Sequence, residues 1–335
     1  MILAFKYFIA LVATFGCMVA GVFTGTNGGD FIAKYDKNVE AVSVYENNFG
    51  TAVPQTAIYD LISEHFHSGL ADGKTAKKAI VIGYDGCRTD ALSLMNDNNT
   101  SAITHLTENG GHAVISYCGG VPFPTINKQD TSTAPGWCSM LTGCWADVHG
   151  VTGNDIPKSN ENLTLLTTLT EDGTINGSAF YVSWGGHFSG ENSTYINEKH
   201  YVEEKALNVN MLRANDDDGT KVNVLADVTQ AGCSDFIFSI FEYTDHIGHD
   251  TGFNLANDEY VNAFYEAEAT AMDIINAIEN RDTYAEEDWL ILITSDHGGY
   301  NNWHGGPTKQ ERYTFIVSNK EIPFEASNGL LDKVC

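Results

Sequence analysis

ILITSDHGGYNNWHGG, residues 291–306, starts as an apolar run and breaks at Ser295 into a carboxylate, an imidazole and two glycines, with a second imidazole at His304. Two readings compete for it: a buried strand that runs into a polar turn, and a strand whose carboxyl end presents metal ligands. The same form recurs twice. KKAIVIGYDG (77–86) closes on Asp85, and DFIFSIFEYTD (235–245) closes on Asp245. A strand covered on both faces reads as a near-continuous apolar run, so these stretches predict a parallel sheet sandwiched between helices. In such sheets ligands bind just beyond the carboxyl ends of the strands, where Asp85, Asp245 and Asp296 all fall.

The intervening segments carry helical patterns. TSTAPGWCSMLTG (131–143) reads as a turn entering a helix, with Pro135 in the first turn and Gly143 as terminator. Helices are also expected over 160–171 and 219–229, with a long amphipathic one over 258–280; strands are expected over 177–186 and 312–320. The alternation predicts an α/β fold with a mostly parallel central sheet and helices on both faces. Residues 77–335 are read as the main domain, with a small cap insertion around 185–220. Residues 26–76 are read as a linker and lead-in helix, helical near 54–68.

Of the 335 residues, 43% are hydrophobic, enough for a large core, and the formal net charge is -26. Such a surface repels a nucleic-acid backbone, which needs clustered Lys and Arg, so no nucleic-acid polymer is expected as a partner. An anionic substrate would then need positive charge supplied locally, and bound cations are a source. Residues 1–25 contain an apolar run, Tyr7–Phe23, read as a signal peptide or an N-terminal membrane anchor, with a buried helix as the third reading. Either of the first two puts the body outside the cytoplasm, secreted or associated with a membrane through the N-terminus. Cys17 is a poor lipoprotein match; the remaining cysteines, 87, 118, 138, 144, 233 and 335, suit an oxidising compartment, with Cys138 and Cys144 the expected local pair. Asn98, Asn99, Asn162, Asn176 and Asn192 open glycosylation sequons.

In TDHIGHDTG (244–252), Asp245 and His249 are spaced to share one side of a helix start. With Asp296, His297 and His304 they form an oxygen and imidazole set without thiolates, which suits zinc, manganese or a similar divalent ion. Thr133 stands just ahead of a helix, where the positive end of the dipole and a nearby cation would favour its alkoxide. The plain alternative is that Thr133 or Ser132 only caps the helix. His149 and His187 are read as structural. Trp137, Trp145, Tyr243 and Trp303 are read as pocket walls or as packing.

Taken together, Asp85 in GYDGCR, Thr133 in TSTAPGW, Asp245 and His249 in DHIGHDTG, Asp296 and His297 in SDHGG, and His304 in WHGG resemble the alkaline phosphatase superfamily. Their order and spacing are most similar to its type I phosphodiesterase/nucleotide pyrophosphatase branch, as is HGVTGN (149–154), over about 79–319. The resemblance implies an alkaline-phosphatase-like fold and two divalent metal ions, zinc. One would be held by Asp245, His249 and His304. The other would be held by Asp85, Asp296 and His297 with Thr133. Thr133 is implied as nucleophile and Asn154 as a donor to phosphate oxygens, on a small phosphate-ester substrate. The segment departs from the branch in having Ala-Pro-Gly-Trp after Thr133, which puts a nucleobase pocket in doubt.

The leading expectation is therefore a metal-dependent phosphodiesterase. A phosphomonoesterase would need a cation for the extra charge, and Arg88 is the only arginine near the motifs. A sulfatase would need Cys/Ser-x-Pro-x-Arg, and Thr133-Ala134-Pro135-Gly136-Trp137 fails at both ends. A non-catalytic surface or binding protein on the same fold is the reading from another class.

Overall fold

The structure is a computed structural model and describes residues 52–97, 101–119, 129–154 and 162–323. The expected leader Tyr7–Phe23, Cys17, Cys335, the sequons at Asn98 and Asn99, and the first two residues of the expected 160–171 helix lie outside the described residues. Among the described residues no helix is long and apolar enough to cross a membrane.

In chain order the elements are β1 (Val53–Pro54), α1 (Ala57–His67), β2 (Ala76–Tyr84), α2 (Ala102–Glu108), β3 (His112–Tyr117), α3 (Thr133–Thr142), α4 (Ala146–His149), α5 (Leu165–Glu171) and β4 (Ser178–Val182). There follow α6 (Ile196–Lys205), β5 (Val209–Arg213), α7 (Asp217–Val228), β6 (Phe236–Phe241), α8 (Tyr243–Thr251), α9 (Asp258–Glu279), β7 (Glu287–Thr294), α10 (Lys309–Arg312) and β8 (Tyr313–Ser318). The strands form one 8-stranded sheet in the order β1-β3-β8-β7-β2-β6-β4-β5. Only β8 runs against its neighbours β3 and β7; the other pairs are parallel.

The continuous apolar runs are explained by two cores. In β2, Ala79 and Val81 enter one core while Ile80, Ile82 and Tyr84 enter the other. In β7, Leu290 and Leu292 face the first core, and Trp289, Ile291 and Ile293 the second. The alternation is still present, but both sides are apolar because helices cover both faces. Helix α9 shows the matching pattern: Tyr260, Ala263, Phe264, Ala267, Ala271, Ile274, Ile275 and Ile278 are buried at helical spacing, and Asn257 caps it by accepting from the Glu259 N–H.

Four expectations differ from what is found. The stretch 185–220, expected as a cap, carries α6 and the edge strand β5, which pairs in parallel with β4. Only Val209 of β5 is buried, so the strand lacks the apolar run that marks the central ones. Within 26–76 the expected helix near 54–68 is present as α1, but the described part, 52–76, is no linker: it also contributes β1, and Val53, Ile58, Leu61, Ile62 and Phe66 belong to the first core. The strand expected to reach Asp245 stops at Phe241, and Asp245 lies in the first turn of α8. Cys138 and Cys144 are both free thiols: Cys138 is buried within α3, and the Cys144 sulfur donates to Thr142 Oγ1 at 3.2 Å. Between them, Gly143 adopts a left-handed conformation (φ 69°) that turns the chain out of the helix.

Candidate active site

Strands β7, β2 and β6 are neighbours and parallel, with Gly83 opposite Thr294 and Tyr84 opposite Phe241. Neighbouring strands stand about 4.8 Å apart, so residues just past their carboxyl ends are forced together. Asp85 follows β2 directly and Asp296 lies two residues past β7. Asp245 is brought back toward them by the turn into α8. Gly86 permits the approach: its φ of +65° favours glycine, and a Cβ there would stand 2.7 Å from Asp245 Oδ1. Gly136 does the same from α3, where a Cβ would stand 2.8 Å from the Asp296 Cβ. Tyr260 of α9 holds the turn after β2 from behind, donating its hydroxyl to the Gly86 carbonyl at 2.8 Å and accepting from the Arg88 N–H at 3.0 Å.

The imidazoles are aimed by backbone carbonyls. His297 Nδ1 donates to the Gly298 carbonyl at 2.7 Å, His304 Nδ1 to the Thr131 carbonyl at 2.9 Å, and His249 Nδ1 to the Asn302 carbonyl at 3.0 Å. A carbonyl can only accept, so each Nδ1 carries the hydrogen and each neutral ring keeps its lone pair on Nε2. Those Nε2 atoms converge on the carboxylates. His297 Nε2 is 3.5 Å from Asp85 Oδ1 and 3.4 Å from Asp296 Oδ2; His304 Nε2 is 3.6 Å from Asp245 Oδ1; His249 Nε2 is 3.5 Å from Asp245 Oδ2.

Two groups result whose ligand atoms all lie within 4.8 Å of one another: Asp85, Asp296 and His297, and Asp245, His297 and His304. His297 is common to both. His249 stands at the rim, beside Asp245 and with its ring centroid 4.9 Å from that of His304.

Buried Asp245 Oδ1, Asp296 Oδ2 and His297 Nε2 make no hydrogen bond. Burial raises the pKa of Asp85 and Asp296 well above the carboxylate range, reinforced at Asp85 by Asp296 and Asp245 and at Asp296 by Asp245. Asp245 is likewise raised by burial. Burial, with His304 beside it, pushes His297 well below its ordinary value, and His304 is lowered to about 4 by burial and His249. Unpartnered carboxylate oxygens facing neutral imidazole lone pairs are an unfavourable arrangement unless a cation sits among them. Tetrahedral zinc with bonds near 2.0–2.1 Å would hold its ligand atoms roughly 3.3 Å apart. The donor set and its spacing fit divalent cations.

Thr133 is the first residue of α3 and is buried. Its Oγ1 donates to Asp85 Oδ1 at 3.3 Å and receives Asn154 Nδ2 at 3.5 Å. Asn154 Oδ1 in turn accepts from the Ala134 N–H at 2.8 Å, so the carboxamide of Asn154 caps the helix; Ser132, at the N-cap position, makes no capping bond. The capping reading of Thr133 and Ser132 thus fails, and the Thr133 hydroxyl is left pointing into the acidic cluster.

Trp137 is not a pocket wall. It is fully buried, and its Nε1 donates to Asp85 Oδ2 at 2.8 Å. Trp145 stacks on Tyr117 and Tyr243 on Phe241. Trp303 alone of the four is exposed beside the site. His149 bridges Ser139 and the Val151 N–H, and His187 is buried among the rings of Phe180, Trp184 and Tyr195, as the structural reading expected. His246 turns away from the cluster to pair with Glu242 at 2.9 Å. Thr131, whose hydroxyl and carbonyl dock the His304 loop onto the start of α3, was not singled out from the sequence, since an ordinary threonine carries no signal for that contact.

Residues 79–302 match the family described as type I phosphodiesterase/nucleotide pyrophosphatase. Among solved structures, the chain is 18% identical to murine ectonucleotide pyrophosphatase/phosphodiesterase 5, with a TM-score of 0.45, covering 66% of this chain and 57% of that one. It is 12% identical to a 2-O GAG sulfatase, with a TM-score of 0.50, covering 74% and 65%. It is 12% identical to the alkaline phosphatase of the Antarctic bacterium TAB5, with a TM-score of 0.47, covering 78% and 97%. The chain thus spans a little over half the length of the murine protein. A search of curated protein sequences gives no match.

Proposed function

The chain belongs to the type I phosphodiesterase/nucleotide pyrophosphatase family, and from that membership we propose that it hydrolyses phosphoric diesters with Thr133 as nucleophile. Asp245, His249 and His304 would hold one divalent cation, and Asp85, Asp296 and His297 a second, with zinc the ion that suits the donors. The observation that carries the reading is the Thr133 hydroxyl, buried at the amino end of α3 and 3.3 Å from an oxygen of that acidic cluster.

Bound cations would supply the positive charge that an anionic diester needs, at both the attacking and the departing oxygen. The chain's own groups do the rest. Asp85 Oδ1 receives the Thr133 hydroxyl hydrogen, which turns an oxygen lone pair toward the substrate. Trp137 fixes Asp85 through its other oxygen. The Thr133 Oγ1–phosphorus bond forms as the bond from phosphorus to the departing alcohol breaks; Oγ1 gives up its proton as it bonds phosphorus, and the departing oxygen takes one from solvent to leave as the alcohol. A water oxygen then replaces Thr133 Oγ1 at phosphorus, returning the hydroxyl and releasing a phosphomonoester. Asn154 is fixed by the Ala134 N–H, so an amide hydrogen on Nδ2 is presented to a phosphoryl oxygen beside the nucleophile.

Arg88 favours a diester over a monoester. Its guanidinium is engaged by the Asp90 carboxylate and by the Phe253 carbonyl at 2.8 Å, so it does not serve the extra charge of a monoester dianion. The test is a comparison of bis-p-nitrophenyl phosphate, p-nitrophenyl phosphate and p-nitrophenyl sulfate. Hydrolysis of the diester ahead of the other two is expected. Preference for the monoester or the sulfate would overturn the diesterase reading, and no turnover of any of the three would favour a binding protein.

A further inference from the structure

Trp303 is the most exposed large apolar side chain among the described residues, at 70%. A single exposed indole is ordinary on a protein surface; its place and its mounting are not. Its ring centroid lies 5.2 Å from that of His249 and 6.1 Å from that of His304, nearly parallel to the latter at 12°. The backbone beneath it is held from both sides. Tyr300 and Trp303 exchange backbone hydrogen bonds of 2.8 and 3.0 Å. The turn they close is stitched to the end of α8 by the Phe253 N–H on the Asn301 carbonyl at 2.6 Å, and by Asn302, which takes His249 Nδ1 on its carbonyl and gives its side-chain amide to the His249 carbonyl at 3.1 Å. Asn301 sits at φ 50°, a left-handed conformation that asparagine adopts more readily than other residues with a side chain. The chain therefore holds a well-bonded turn whose product is an indole face standing open beside the site, over His249 and His304.

We infer that Trp303 is the platform for the departing alcohol: the structure assigns to this site phosphodiesters whose leaving group carries a flat aromatic ring, which stacks on the indole. The inference rests on the proposed reading: Thr133, the nucleophile, lies against Asp85, so in an in-line displacement the departing oxygen falls on the opposite side, toward Asp245, His249 and His304. Stacking of a ring on an aromatic side chain is worth about 1–3 kcal/mol, roughly five- to 150-fold. Such a ring can come from a simple aryl alcohol or from a nucleoside, and both present the same flat face.

The test compares kcat/KM for methyl p-nitrophenyl phosphate, with an aryl leaving group, against methyl trifluoroethyl phosphate, with an activated alkyl one. Trp303→Ala is expected to lower the aryl-to-alkyl ratio about fivefold or more, and Trp303→Phe to keep most of it. An unchanged ratio, including an equal loss on both esters from a merely structural role, would overturn the inference. A second readout does not need turnover: adenosine should quench indole fluorescence of the wild type and not of Trp303→Ala. Equal quenching in both would count against the platform. Quenching confined to the wild type in a chain that hydrolyses neither ester would keep the platform and sink the proposed reaction. Inhibition of aryl-ester hydrolysis by adenosine, weakened in Trp303→Ala, would identify the nucleoside source; inhibition by phenol alone would identify the simple aryl one.

Discussion

Thr133→Ala is expected to lower hydrolysis of bis-p-nitrophenyl phosphate by roughly 10⁴-fold or more, the scale seen when a covalent nucleophile is removed. The substitution deletes the oxygen that is to bond phosphorus and leaves the Asp and His side chains in place. The helix keeps its cap, because Asn154 and not Thr133 accepts from the Ala134 N–H. Metal content should therefore stay near that of the wild type, which separates loss of the nucleophile from collapse of the centre. Thr133→Ser, which restores a hydroxyl at the same position, should recover a measurable part of the rate. A Thr133→Ala chain that turns over at the wild-type rate would remove Thr133 from the reaction, and a chain that loses its metal would make Thr133 a ligand first.

Chelation should have a comparable effect on activity and a second one on stability. Asp85, Asp296 and His297 are 0% exposed, and three ligand atoms of the cluster lack hydrogen-bond partners. Buried charges that lose their counter-charge cost about 3–5 kcal/mol. Ions present at a thousand times their dissociation constant stabilise the folded state by about 4 kcal/mol, which for a chain of this size corresponds to a fall of roughly 6 °C in Tm on removal. A metal chelator should abolish diester hydrolysis and lower Tm by about that amount, and added zinc should restore both. A chain indifferent to the chelator in rate and Tm would have no cation in this cluster.

The central strands were legible because they are buried on both faces. Residues 79–84, 236–241 and 289–294 are near-continuous apolar runs of strand length that end in polar residues. The long helix α9 was legible for the complementary reason, one apolar face at helical spacing. Strand β3, helix α2 and the edge strand β5 were not: each is short, and the edge strand is mostly exposed, so periodicity had little to act on. At the site, the residue types and the strand-end positions pointed to cation chemistry, but the resemblance supplied the grouping into two ligand sets. The structure adds what spacing does not contain. His297 reaches both carboxylate groups. Trp137, plausible from sequence as a pocket wall, is a buried support for Asp85. The carbonyls of Gly298, Thr131 and Asn302 fix the imidazole rings, and a backbone acceptor leaves no trace in the residue type that carries it.

Metal content tests the proposed centre most directly. Elemental analysis of the purified chain, expressed with zinc present, should find about two divalent ions per molecule. His297→Ala should lose at least one of them, since that imidazole is proposed to hold the Asp85/Asp296 ion and also lies within 4.8 Å of the ligand atoms of Asp245 and His304. A wild-type chain with no stoichiometric metal, or a His297→Ala chain with its full complement, would contradict the convergence of these side chains on bound cations.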